Sequence, residues 1–291
     1  MFKGCITALV TPFKNGKLDL KALEKLISWQ IKEGINGIVL CGSTGESATV
    51  SQEERKELIK TSVSIIKKRI PLIVGTGTNY TKTTIEYTQE AEELGADGAL
   101  VVAPYYNKPT QEGIYRHYEA ISKNTKLPII IYNNPARVVI NISDQTIARI
   151  ATLKNIRGVK DASGDLTRPL SLQTYPLNKK FIMLSGDDII AVAFNVSGGQ
   201  GLISIASNLL PKLCTKVQTL CADGNYEAAK IEHQKLVPFY LLLFCETNPA
   251  PIKYALHLLG FIAPEMRLPL VELQEESKTK IKSVLKSLKL I

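Results

Sequence analysis

Short apolar runs recur along the chain at residues 6–10, 37–41, 72–75, 98–103, 128–132, 156–160, 181–185 and 201–204. Many of their residues are β-branched. The runs are nearly continuous in apolar character rather than alternating, as strands buried on both faces should be. Most are followed by amphipathic stretches with helix signals. Asp19 precedes Leu20, Leu23, Leu26 and Ile27, an apolar stripe at helical spacing. Ser51 stands ahead of Glu53 and Glu54, which resembles a capping box. A helix over 81–94 is stopped by Gly95, and 111–124 and 143–151 repeat the pattern.

Eight strands alternating with helices predict either a closed barrel or a doubly wound sheet. A dinucleotide-binding sheet would carry a GxGxxG turn after its first strand. Here that strand runs into Thr11-Pro12-Phe13, so the expected fold is an α/β (β/α)₈ TIM barrel. Beyond residue 207 the strand pattern stops. Segments 208–222, 226–244, 248–259 and 272–288 read as helices. The first completes the barrel, giving a catalytic barrel over 1–222 and a C-terminal helical extension over 223–291.

Composition narrows the function. The formal net charge is +9, yet the basic residues are spread along the chain rather than gathered with aromatics. That argues against nucleic-acid binding. The densest cluster, Lys278 to Lys289, alternates with Ile281, Val284, Leu285 and Leu288 at helical spacing. It reads as one helix with a packed face and a solvated face. No run of about 18 apolar residues predicts a membrane span, and no secretory signal is legible at the N-terminus. The expected location is cytoplasmic. Five cysteines without a CxxC pair read as free thiols, and the three histidines lack metal-ligand spacing. No metal site is expected.

In such barrels the chemistry sits at the C-terminal ends of the strands. Those ends carry Gly42-Ser43-Thr44-Gly45-Glu46, Pro104-Tyr105-Tyr106-Asn107, Tyr132-Asn133-Asn134-Pro135-Ala136-Arg137, Lys160-Asp161-Ala162-Ser163-Gly164 and Ser185-Gly186-Asp187-Asp188. Lys160 ends an apolar strand and points either into the barrel mouth or out toward a helix. In the mouth, desolvation would favour the neutral, nucleophilic amine. Ser43 and Thr44 offer hydroxyls and backbone donors to an anion, or they form a plain strand-to-helix turn. Tyr132 and Tyr106 are either proton carriers or core aromatics with a wet hydroxyl. Arg137 suits bidentate binding of a carboxylate, or it is an ordinary surface arginine.

Together these motifs resemble the dihydrodipicolinate synthase and N-acetylneuraminate lyase superfamily of Schiff-base aldolases, over nearly the whole chain. Gly42-Ser43-Thr44-Gly45-Glu46 is similar to its pyruvate-carboxylate loop. Tyr132-Asn133-Asn134-Pro135 is similar to its tyrosine motif, and Gly158-Val159-Lys160-Asp161 to its Schiff-base lysine motif. The stretch from Ala103 to Gly113, Arg137, and Ser185-Gly186-Asp187-Asp188 resemble the dihydrodipicolinate synthase branch. Two departures stand out. Ser43 replaces a usual threonine, and Val138-Val139 replaces a usual Thr-Gly.

The resemblance implies condensation of pyruvate with L-aspartate 4-semialdehyde on the diaminopimelate route to lysine, with no cofactor. It implies that Lys160 forms the Schiff base and that Tyr132 moves protons, with Thr44 and Tyr106 completing a hydroxyl relay. Tyr106 would come from the neighbouring subunit of a tight dimer, within a homotetramer of two dimers. Ser43 and Thr44 would hold the pyruvate carboxylate and Arg137 that of the second substrate. Gly186 and Ile203 would shape the pocket through their backbones. The rival within the superfamily is an N-acetylneuraminate or 2-keto-3-deoxy-sugar-acid lyase.

Overall fold

The computed structural model describes residues 2–291. Ten strands occur in chain order: β1 (Gly4–Ala8), β2 (Phe13–Lys14), β3 (Lys17–Leu18), β4 (Gly37–Leu40), β5 (Leu72–Gly75), β6 (Gly98–Val102), β7 (Ile129–Asn133), β8 (Ile156–Asp161), β9 (Ile182–Ser185) and β10 (Gly201–Ser204). All but β2 and β3 join one parallel barrel, each beside the next, and β10 closes onto β1. The eight expected strands are all present. β1 begins at Gly4 rather than Ile6 because closure pairs Gly4 with Gly201. The β2–β3 hairpin was not anticipated, although Asn15-Gly16 is a strong two-residue turn signal. Both residues adopt the positive φ such a turn needs, 54° and 75°.

Two cores result. Alternate strand residues fill the barrel interior, among them Ile6, Val39, Ile73, Leu100, Ile130, Leu184 and Ile203. The opposite strand faces pack under the helices in one larger cluster that also takes in Phe239, Ile252, Ile281 and Leu285 from beyond residue 222.

The helix starts follow their caps. Asp19 accepts from Ala22 N at 3.0 Å, and Ser51 and Glu54 form a complete capping box. Helices also occur at Arg168–Gln173 and Ala191–Val196, where the sequence reading had none. The single helix expected over 226–244 is instead two, Tyr226–Gln234 and Val237–Leu242. Pro238 stands at the start of the second, where its missing N–H is harmless. The chain leaves helical form at Leu243, which frees residues 244–249 to turn toward the barrel mouth. Among the described residues no helix is long and apolar enough to cross a membrane. All five cysteines are free. The terminal helix Glu275–Ser287 buries Ile281 and Leu285 while its lysines face solvent or pair with neighbouring glutamates.

Candidate active site

The C-terminal strand ends surround a cavity of about 430 Å³ whose wall includes Ser43, Thr44, Tyr132, Arg137, Lys160 and Gly186. Register decides where Lys160 points. It lies level with Tyr132 on β7 and Leu184 on β9. Both neighbours belong to the interior cluster, and residues level on adjacent strands share a face. Lys160 therefore points inward, into the barrel mouth. It is 6% exposed, and its Nζ lies 4.1 Å from the centroid of the Tyr132 ring. Gly186 makes room for it. A Cβ there would lie 3.0 Å from Lys160 Cε and 2.7 Å from Ala162 Cβ. On the other strand face, Asp161 accepts from Asn133 Nδ2 at 2.7 Å and pairs with Arg168 at 3.2 Å. These contacts hold the strand end from behind.

The Tyr132 hydroxyl accepts a hydrogen bond from Asn134 Nδ2 at 2.7 Å. Burial alone would push this phenol up. The Lys160 charge, the Asn134 hydrogen bond and the Arg137 charge outweigh burial and hold it below its usual value. A phenol so placed exchanges protons more readily near neutral pH. The Thr44 hydroxyl accepts from Asn248 Nδ2 at 3.1 Å. Arg137 lies on the short helix Pro135–Val138, exposed at the rim, with Nη2 3.4 Å from the Asn248 carbonyl. That helix ends on Val139 at φ 68°. A β-branched residue is strained in this left-handed region, where a glycine would adopt it freely.

One expected site residue lies outside the cavity of its own chain. Tyr106 is 90% exposed at φ 72°, outside the cavity, so one chain alone does not assemble the expected relay of Tyr132, Thr44 and Tyr106. The Ile203 side chain packs in the barrel interior, which leaves only its backbone for the expected role, and Ile205 also lines the wall. The sequence reading also missed an entire wall. Phe244, Glu246, Thr247 and Asn248 of the C-terminal extension close one side. Their one signal was Pro249 and Pro251, which stand at the start of the next helix and so mark the segment before it as non-helical.

The profile of the Dihydrodipicolinate synthetase family matches residues 1–288. The chain belongs to this family. The 4-hydroxy-tetrahydrodipicolinate synthase of Afipia carboxidovorans is 49% identical over 277 residues, 95% of this chain and 93% of its own. The crystal structure of dihydrodipicolinate synthase from Thermotoga maritima has a TM-score of 0.98 at 44% identity, covering 100% of both chains. The Acinetobacter baumannii dihydrodipicolinate synthase, solved in complex with pyruvate, has a TM-score of 0.97 at 44% identity, again covering 100% of both. The chain is accordingly an enzyme, and its reaction is that of the family, a lyase-type condensation of pyruvate of the class I aldolase kind.

Proposed function

We propose that Lys160 carries the Schiff base in a condensation of pyruvate with L-aspartate 4-semialdehyde. The supporting observation is its inward-facing amine at the base of the cavity, beside the ring of Tyr132. The amine attacks the pyruvate ketone and water leaves, giving an iminium that serves as the electron sink. Loss of a methyl proton gives an enamine, which attacks the aldehyde carbon, and the aldehyde oxygen takes up a proton. The amine of the second substrate then displaces Lys160 and closes the ring. Tyr132, with its phenol held below the usual value, moves these protons. Ser43 and Thr44 hold the pyruvate carboxylate and Arg137 the carboxylate of the semialdehyde, while Gly186 leaves the space Lys160 occupies. Tyr106, exposed and turned from its own cavity, serves the site of a partner in a tight dimer, two of which form a tetramer. The barrel over 1–222 supplies the reacting groups and the extension over 223–291 supplies a wall. A cytoplasmic location belongs to the same reading.

The test is borohydride reduction in the presence of pyruvate, followed by peptide mapping. The expected product is a reduced adduct on Lys160. An adduct on another lysine, or none, would overturn the assignment.

A further inference from the structure

Behind the loop that follows β4 lies an ion pair wholly excluded from solvent. Lys253 Nζ stands 2.5 Å from Glu46 Oε1, and both side chains are 0% exposed. Lys253 also donates to the Thr11 carbonyl at 3.0 Å. The second Glu46 oxygen accepts from Arg267 N at 3.2 Å. Burial pushes the Lys253 ammonium down, and the adjacent Glu46 charge opposes that. Glu46 itself sits at φ 53°, a left-handed conformation that a non-glycine residue keeps only where its surroundings enforce it.

Such a pair is a poor source of stability, because desolvation consumes most of the attraction. Its distinctive consequence is positional. Lys253 lies on the helix Ala250–Leu258 of the C-terminal extension, and Glu46 closes the loop that carries Ser43 and Thr44. Asn248, just before that helix, donates to Thr44 Oγ1 at 3.1 Å. Thr11 Oγ1 donates to the Gly45 carbonyl at 2.7 Å. Residues 44, 45 and 46 are thus each held from outside the loop, two of them by the extension.

We propose that Lys253 and Glu46 are positioning residues for the condensation. Their pair fixes the loop so that Ser43 and Thr44 meet the carboxylate of pyruvate. The inference rests on the reading of that loop as the pyruvate-carboxylate site.

The decisive variant is the double Glu46→Gln, Lys253→Met, which removes both charges at similar volume. Neutralising both partners of a buried pair is tolerated where removing one is not, so the double variant should melt close to wild type. The pyruvate concentration for half-maximal borohydride trapping should nevertheless rise about tenfold, while the KM for the semialdehyde changes by less than about threefold. Packing alone would lower the melting temperature and the active fraction and leave half-saturation where it was. Unchanged half-saturation, or equal losses for both substrates, overturns the proposal. Should the double variant not fold, Glu46→Asp decides, since it keeps both charges but shortens the side chain by one methylene and so shifts the loop against the helix. A rise confined to pyruvate supports the proposal and no rise overturns it. Thr44→Val separates the two readings. If that variant leaves trapping unchanged, the pyruvate loop itself is misassigned. If it weakens trapping while the variants of the pair do not, only the role of the ion pair falls.

Discussion

At the residue scale, the cavity side chains depend on their neighbours. Lys160 reaches the cavity because position 186 is glycine, and the Tyr132 phenol is held down by Lys160, Asn134 and Arg137 acting against burial. Arg137 carries the sharpest substitution prediction. A charge-assisted contact to a carboxylate is worth roughly 1.5–3 kcal/mol. Arg137→Ala should therefore lower kcat/KM for aspartate 4-semialdehyde by about tenfold to a hundredfold. Pyruvate trapping at Lys160 should stay at the wild-type level. Steady-state kinetics with each substrate varied in turn check this, and a loss confined to pyruvate would reassign the arginine. The lysine, the tyrosine and the arginine were all legible in the chain as motif residues. The direction of the lysine was not, because it depends on pairing with β7 and β9. Nor was the contribution of Asn248, which bonds Thr44 across a separation of 204 residues.

At the scale of elements, the rim is fastened between strands. Asp188, just past β9, accepts from Ser204 Oγ on β10 and from Ile205 N at 2.9 Å. Burial pushes its carboxyl up to about 6, and the hydrogen bonds offset that only in part. In an unfolded chain an aspartate titrates near 3.9. Because the folded value is the higher one, the stabilising contribution is full below about pH 4 and is lost as the pH rises through about 6. Asp188→Asn removes that loss. The stability of wild type relative to this variant should fall by about 2 kcal/mol between about pH 4 and pH 7.5. Urea unfolding of both proteins across this range is the check, and a pH-independent difference would show that Asp188 is ionised throughout. The strands and the main capped helices were readable from apolar runs, Asp19, Ser51 and Gly95. The break between Gln234 and Val237 was missed because the apolar spacing continues across it, and only Pro238 marks the interruption.

At the scale of the whole molecule, the extension walls the cavity and Tyr106 stands outside it. If Tyr106 serves a partner's site, two inactive variants should complement each other. Mixing Lys160→Ala with Tyr106→Phe under conditions that exchange subunits creates hybrid dimers. One of the two sites in each hybrid then has both groups. General acid–base groups typically contribute about 10²–10⁴-fold, so the regained activity should stand well above either parent. A mixture no more active than the Tyr106→Phe protein would show that the tyrosine does not act across the dimer. The sequence by itself determined the barrel, because strand length, apolar continuity and helix caps are local properties written in consecutive residues. It also picked out Ser43, Thr44, Tyr132, Arg137, Lys160 and Gly186, which the fold gathers around one cavity, because each lies at or just past a strand end within a compact motif. The tertiary structure alone decided which way Lys160 faces, that Ile205 lines the cavity, and that residues 244–248 close it. Those outcomes depend on strand register and on contacts between segments some two hundred residues apart, which local pattern does not encode.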